Sequence, residues 1–283
     1  MPRRARLSSG GIAYHLLNRR VGRLELLEKL ADYSAFENIF AEAHHPTGIR
    51  IAAYCLMPNH WHLLLPRSDG ELSEVMRWIT VTHTQRWHAH RHSSGTGPVY
   101  QGRFKSFPVQ TDEHFLTVAR YVERNALRAK LVERSDEWQW SSAYRGARRS
   151  AKLADFLSPW PMDRPQNWTE WINEPGRASE LDDLRSSAQR GRPFGSEDWM
   201  INIAEQQGLE ATMHSRGRPK RKTPDPFSQT ENWTIKVEIK VKNQLRREEQ
   251  LQSRTPIFGV CIDLFHAPQK PCLVGLLPGC EVF

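Results

Sequence analysis

Apolar residues in the first half of the chain recur with the periods of strands and helices. Period-two alternation or short apolar runs predict strands at 11–19, 49–57, 60–66 and 99–109, and helical spacing predicts helices over 32–45, 71–92 and 111–132. The resulting order is strand–helix–strand–strand–helix–strand–helix. It predicts an α+β fold, in which helices pack on an antiparallel sheet.

The strand that begins at residue 60 carries the most informative chemistry. Pro58 and Asn59 separate it from the preceding apolar run, as in a tight turn. Side chains alternate along a strand, so His60 and His62 share one face and Trp61 lies on the other. Two imidazoles on one face form half of a divalent metal site. The alternative is an apolar strand with two structural histidines.

The helix predicted over 111–132 offers a partner for that face. Tyr121 and Asn125 are four residues apart and therefore project together. If their face meets the histidine strand, the phenol is a candidate nucleophile and the amide a candidate ligand. The alternative is a tyrosine that fills the core with its hydroxyl outside. His15, on the first strand, is either a core residue or a residue that supports the site.

Three segments in this order, 57–62, 100–106 and 120–129, resemble the REP-associated tyrosine transposases. These proteins belong to the HUH superfamily of single-strand DNA nickases and are related to insertion-sequence transposases with one catalytic tyrosine. The resemblance covers the first half of the chain, through residues 138–144. It implies the ferredoxin-like palm of HUH nucleases. Beyond the palm, helical patterns in the sequence predict a helical C-terminal extension.

The resemblance also implies a mechanism. His60 and His62 would hold Mg²⁺ or Mn²⁺, Asn125 would complete the protein ligands, and Tyr121 would attack a DNA phosphate to give a 5′-phosphotyrosine. Phenols ionise near pH 10, so they need help at neutral pH, and a cation on the phosphate stabilises the developing charge. The implied substrate is single-stranded or hairpin DNA of the kind found in repetitive palindromic elements. Two alternatives stay open: a non-catalytic DNA-binding regulator derived from a transposase, and a nuclease that uses water.

Charge agrees with a DNA partner. The 283 residues include 40 Lys and Arg against 32 Asp and Glu, a net charge of +8. On the strand 99–109, Arg103 and Lys105 are predicted to share a face with Phe107 and to contact phosphate; a solvated basic face is the alternative. The end of helix 71–92 gathers several histidines and arginines, and we interpret it as a basic helix end rather than a metal site.

A second basic segment follows much later. Arg216, Arg218 and Lys220 lie in a stretch that resembles the AT-hook core, in which glycine lets the backbone enter a narrow minor groove. The expected function is an auxiliary DNA-binding arm, and a solvated basic tail is the alternative.

Composition divides the chain into four parts. We predict a catalytic domain over 1–145, a Pro- and Trp-rich connection with a helical extension over 146–210, the basic arm over 211–222, and a tail without an assigned structure over 223–283. In the extension, helices over 178–190 and 196–208 form either a DNA-binding helix–turn–helix or a hairpin that covers the core.

The chain shows no apolar stretch long enough to span a membrane and no signal peptide. Its four cysteines lack the spacing of a zinc or disulfide motif. These features predict a bacterial cytoplasmic, nucleoid-associated protein, acting as a monomer or homodimer.

Overall fold

The computed structural model describes residues 10–68, 72–148 and 156–214. All of them belong to one of the chain's two units, Met1–Lys242, and the other, Asn243–Phe283, lies outside them. The described elements are the strands β1 (Ile12–Arg19), β2 (Ala53–Met57), β3 (His60–Ser68) and β4 (Lys105–Val109), and the helices α1 (Leu30–Thr47), α2 (Leu72–His90), α3 (Glu113–Glu123), α4 (Asn125–Arg128), α5 (Ser142–Ala147), α6 (Trp168–Asn173), α7 (Ala178–Arg190), α8 (Glu197–Gln207) and α9 (Glu210–Met213).

The four strands form one antiparallel sheet in the order β2-β3-β1-β4. With α1 between β1 and β2 and α2 between β3 and β4, the order is that of a ferredoxin-like fold. The predicted fold class is therefore confirmed, including the helical extension.

Each face of the sheet is covered by different helices. On one face Trp61 is fully buried and its ring lies 6.2 Å from that of Phe36 on α1. The opposite face carries His15 and His62 and lies against α3. The period-two alternation of β3 thus separates an apolar face from a face that contains polar chemistry.

The β2 edge of the sheet is sealed by the segment that follows α4. The backbone N–H of Leu56 donates to the Trp140 carbonyl over 2.9 Å, and the Trp138 indole donates to the Leu56 carbonyl over 2.8 Å. Two residues earlier on β2, the Tyr54 N–H donates to the Ser142 hydroxyl. An edge strand with satisfied backbone groups cannot recruit another strand.

The β4 edge is sealed by the extension. The Phe194 N–H donates to the Pro108 carbonyl and the Gln110 N–H donates to the Phe194 carbonyl, each over 2.9 Å. An edge strand also tolerates Pro108, which has no N–H to donate. On α8, Gln207 donates to the Tyr14 hydroxyl over 2.7 Å. The extension therefore covers the core, whereas the predicted arm and tail from residue 215 onward lie outside the described residues.

Two predicted elements have the wrong bounds. The strand predicted over 99–109 begins only at Lys105. The chain bends at 101–103, where the Asn18 side-chain amide donates a hydrogen bond to the Gly102 carbonyl. Arg103 therefore lies in the bend and not on the strand face that Lys105 and Phe107 share. The helix predicted over 111–132 is two helices, α3 and α4, with Arg124 between them at φ −88° and ψ 0°.

Candidate active site

The two histidines of β3 lie side by side on the face toward α3. Their ring centres are 5.0 Å apart. In the sheet, His60 pairs with Arg19 and His62 pairs with Leu17 on the neighbouring strand β1. His62 is buried, with 4% of its surface exposed, and His60 is half-buried.

A third histidine joins this pair. His15 Nε2 and His62 Nδ1 lie 2.9 Å apart in a buried hydrogen bond. The His15 ring also packs on Phe107, with ring centres 4.7 Å apart, and its Nδ1 is buried with no hydrogen-bond partner among the described residues. His15 is thus a buried core residue that also contacts His62, and a role in supporting the site stays a prediction.

Helix α3 places Tyr121 against the histidines. Asp112 caps the helix by accepting the His114 N–H over 2.8 Å. The Tyr121 ring meets His62 edge-on, with centres 5.6 Å apart, and lies 5.9 Å from His15. Within the described ranges no hydrogen bond is formed by the Tyr121 hydroxyl. The structure therefore brings the predicted nucleophile to the predicted metal-binding face.

Asn125 lies one turn beyond Tyr121 and is held locally. Its amide nitrogen donates to the Tyr121 carbonyl over 3.1 Å and to the Val122 carbonyl over 3.4 Å. Arg128 donates to the Asn125 amide oxygen, and its guanidinium lies 4.2 Å from the centre of the Tyr121 ring. The amide oxygen has a second lone pair, so a ligand role for Asn125 requires it to serve Arg128 and an ion together.

The electrostatics of the site keep the histidines neutral. Burial, with the charges of Arg19 and Arg128, holds the pKa of His60 well below 6.5. Burial also holds the pKa of His62 well below 6.5, assisted by its neighbours His60 and His15. Neutral imidazoles have the free lone pair that a metal requires.

The chemistry of the donors fits a divalent ion. Nδ1 of His62 is hydrogen-bonded to His15, and Nδ1 of His60 is hydrogen-bonded to the Asn59 side chain. The Nε2 atom of each ring is therefore available to an ion. Such anchoring of the other ring nitrogen is typical of metal-binding histidines. A metal on His62 Nε2 requires the proton of that ring on Nδ1, where His15 Nε2 accepts it.

A second group of possible metal ligands lies at the start of α3. Among the described residues, Asp112, Glu113 and His114 bring their ligand atoms within 4.8 Å of one another. Asp112 already accepts from the His114 backbone and ring, the latter over 2.7 Å, and it caps the helix. This arrangement accounts for the cluster without an ion.

The predicted DNA-binding residues are placed unequally. Lys105 and Arg103 are both exposed, Lys105 at the start of β4 and Arg103 in the bend before it. Burial and the charge of Arg19 lower the pKa of Lys105, so Lys105 and Arg19 lie near each other. Arg216, Arg218 and Lys220 lie outside the described residues.

Four of the histidines and arginines near the end of α2 have side-chain partners. His83 is buried and bonded to the Tyr100 hydroxyl, and His88 is bonded to the Ser93 hydroxyl. Arg86 and Arg91 form ion pairs with Glu42 and Asp32 on α1, respectively. The cluster thus joins α2 to its surroundings.

Sequence reasoning missed several residues of the site. Arg19 and Arg128 supply its positive charge, yet one belongs to β1 and the other to α4. Their convergence depends on strand register and on the packing of α3, which no local pattern reports. The only signal was the presence of both residues inside predicted elements that flank the histidines.

Glu123 is a further missed residue, at the end of α3. Its carboxylate is fully buried and accepts from the Ser142 hydroxyl and the Trp168 indole, each over 2.6 Å. Arg164 adds an ion pair at 3.2 Å. The helix that carries Tyr121 is therefore fastened to residues on both sides of position 145.

No helix among the described residues has the length and apolar character needed to cross a membrane.

Comparisons with known proteins find one family model and two solved structures to which part of the chain is similar. Residues 8–125 match the family model described as "Transposase IS200 like". A solved REP-associated tyrosine transposase bound to a REP hairpin is 21% identical, with a TM-score of 0.43, over 58% of this chain and 94% of that protein. A candidate transposase from Deinococcus radiodurans R1 is 18% identical, with a TM-score of 0.29, over 44% of this chain and 96% of that protein. No curated protein matches the chain significantly. The segment that is similar to IS200-like transposases includes the histidine strand and extends to Asn125.

Proposed function

We propose that the chain is a metal-dependent endonuclease and strand transferase that acts on single-stranded, hairpin-bearing DNA through a covalent phosphotyrosine. The observation that carries this proposal is the contact between the Tyr121 ring and the His62 ring, 5.6 Å between centres, beside His60. The transposase family supplies the reaction class, and the resemblance of the motifs to REP-associated transposases supplies the hairpin substrate.

Tyr121 is the nucleophile of the proposed reaction. Its hydroxyl oxygen forms a bond to the phosphorus and gives up its proton to water, while the bond from phosphorus to the 3′ oxygen breaks. The 3′ oxygen takes a proton and leaves as a hydroxyl, and the 5′ end stays on the enzyme. Because the phosphodiester bond is exchanged rather than hydrolysed, the same strand or another can be joined without ATP.

The residues around Tyr121 prepare the phosphate. His60, His62 and Asn125 would hold Mg²⁺ or Mn²⁺, which supplies charge that stabilises the phosphate oxygens during attack. Imidazole ligands favour Mn²⁺ over Mg²⁺. Arg19 and Arg128 add fixed positive charge at the same place, and this charge needs no reorganisation during the reaction.

The decisive experiment looks for the covalent intermediate. The full chain is incubated with an end-labelled hairpin oligonucleotide and Mn²⁺ and run on a denaturing gel. We expect an adduct with the wild-type protein and none with Tyr121→Phe. Tyr144→Phe is the matched control, because Tyr144 is half-buried on α5, under Arg148 at 3.8 Å, and should keep the adduct.

The same gel separates the alternatives. A regulator without catalysis would bind the hairpin in a salt-sensitive manner and cut nothing with any metal. A water-using nuclease would cut without an adduct. Adducts that persist in Tyr121→Phe would reject Tyr121 as the nucleophile, and full cleavage in EDTA, or in His60→Ala, would reject the metal site.

A further inference from the structure

A cavity lies on the side of the Tyr121 helix that faces the extension. It has a volume of about 320 Å³, at the small end of the range of about 300–1,000 Å³ for small-molecule sites. Helices α3 and α4 form one wall, and α6, α7 and the turn between them form the other. Tyr121 itself lines the cavity, so the cavity adjoins the proposed nucleophile.

One wall of the cavity carries three arginines. Arg120, Arg124 and Arg128 are spaced four residues apart, so they lie along one side of the two consecutive helices. Arg120 is occupied, because it donates to the carbonyls of Trp171 and Glu174 over 3.0 and 2.7 Å. Arg128 donates to Asn125, as described above.

Arg124 is the exception among the three. Its Nη1 atom is buried and has no hydrogen-bond partner among the described residues. A buried donor without an acceptor costs about 1–3 kcal/mol, and more when it is charged. Burial lowers the pKa of Arg120, and the nearby carboxylate of Glu180, which lines the cavity, partly opposes this shift. Arg124 thus contributes to the cavity wall a guanidinium group whose hydrogen bonds are incomplete, and its positive charge attracts an anion.

The rest of the lining is apolar and aromatic. Trp171 on α6 and Leu181 on α7 are partly buried, and Leu184 is buried. A flat ring can pack on such walls, and a phosphate attached to it can reach a guanidinium. A nucleotide combines a flat ring with a phosphate, and DNA is the proposed substrate of the neighbouring Tyr121.

We propose that this cavity binds one unstacked nucleotide of single-stranded DNA, with the base among Trp171, Leu181 and Leu184 and its phosphate on Arg124. The inference rests on the proposed function for its choice of DNA as the ligand. It assigns the extension a part in the site: α6 and α7 supply half of a base pocket next to Tyr121, so the strand is held on one side of the cleaved phosphate.

Binding without cleavage tests the pocket. Fluorescence anisotropy in EDTA measures the affinity of the full chain for a hairpin oligonucleotide and for a series in which each unpaired nucleotide in turn is abasic. We expect one abasic position to weaken wild-type binding by about 10-fold, as loss of one base stack does. In Leu181→Trp, which fills the cavity, the intact oligonucleotide should bind about 10-fold more weakly, and that abasic position should have no further effect.

The arginine is tested in the same way. A neutral methylphosphonate is placed at each linkage in turn. Arg124→Gln should weaken binding and should be insensitive to the one neutral linkage that weakens the wild type. Arg177→Gln is the matched control, since Arg177 is exposed, lies at the start of α7 and does not line the cavity. It should retain both sensitivities.

These outcomes decide the inference in both directions. Equal abasic penalties in the wild type and in a folded Leu181→Trp protein would overturn it, as would equal methylphosphonate penalties in the wild type and Arg124→Gln. Absence of any binding to the oligonucleotides would overturn it as well. If Leu181→Trp does not fold, judged by circular dichroism, the Arg124 comparison decides alone. The binding measurements do not require cleavage. A missing covalent adduct would therefore reject the proposed function, while the binding measurements would still decide whether the cavity holds a nucleotide.

Discussion

The two faces of the sheet each bury a tyrosine against a histidine, and the two pairs differ in one respect. Tyr100 with His83 lies on the α1/α2 face, and Tyr121 with His62 lies on the α3 face. The tyrosines are almost equally buried, at 8% and 7% exposure, and the ring centres lie 5.7 and 5.6 Å apart. Burial and proximity therefore do not distinguish a structural pair from a candidate site.

Hydrogen bonding distinguishes them. The Tyr100 hydroxyl is shared between His83 at 2.8 Å and the Trp61 indole at 3.3 Å, and the His83 ring packs on Phe36. Around Tyr121 the polar groups are incompletely paired among the described residues: its hydroxyl has no hydrogen bond, and His15 Nδ1 is buried without one. A hydrogen-bond network in which every group is paired stabilises a core. Unpaired donors and acceptors beside positive charges favour the binding of a ligand instead.

The largest expected effect comes from removing one histidine of each pair. His62→Ala should lower the rate of adduct formation by about 100-fold or more, because it removes a metal ligand, and should abolish the response to Mn²⁺. His83→Ala should destabilise the protein and leave the rate per folded molecule unchanged. Adduct kinetics together with urea unfolding check both; an equal loss of rate in the two variants would erase the contrast between the faces.

The next effect is a dependence of stability on acid. Burial, aided by the charge of Arg91, lowers the pKa of His83 from 6.5 to about 3. The unfolded chain therefore takes up a proton below pH 6.5 that the folded protein refuses, so stability is complete above that pH and falls as pH drops toward 3. His83→Gln should flatten the decline between pH 6 and 4 by about 1.4 kcal/mol per pH unit. Urea unfolding at several pH values measures this, and identical slopes would count against a neutral His83.

A smaller effect is expected at His15. His15→Phe removes the acceptor for His62 Nδ1 and should weaken Mn²⁺ activation by about 10-fold, as the loss of a supporting hydrogen bond does at metal sites. His15→Asn, which retains an acceptor, should be closer to wild type. The Mn²⁺ concentration for half-maximal adduct formation is the measurement. If both variants match the wild type, His15 is only a core residue.

The smallest effect is expected at Tyr100. Tyr100→Phe deletes one buried hydroxyl and should cost about 1–2 kcal/mol, a shift of about 2–8 °C in the melting temperature. Adduct formation should not change. Thermal unfolding by circular dichroism provides the comparison with Tyr121→Phe, which should remain near wild type in stability; a reversal of this order would reverse the roles of the two tyrosines.

Local patterns predicted the elements and the two shared faces of this site. Period-two alternation placed His60 with His62, and the four-residue spacing placed Tyr121 with Asn125, because both depend only on the geometry of a single element. Bounds were less accurate where a side chain replaced backbone pairing, as Asn18 does at Gly102.

Partners between distant elements could not be predicted. The bond between His15 and His62 spans 47 positions and depends on the register of β1 against β3. The contact of the extension with the β4 edge and the cavity beside Tyr121 both depend on how the extension packs. The sequence of the extension showed only two helical patterns. Apolar periodicity reports that a face is buried but does not report which residues cover it.

The buried carboxylate of Glu123 sets the shortest piece of this chain worth expressing. A fragment cut after residue 145 would contain all four strands, both histidines and Tyr121, and yet Glu123 would lose Arg164 and Trp168. Breaking a buried ion pair in this way costs about 3–5 kcal/mol, a large share of the roughly 5–15 kcal/mol that holds a typical domain folded. Truncation should therefore stop no earlier than the end of α6, well past the segment that matches the transposase family.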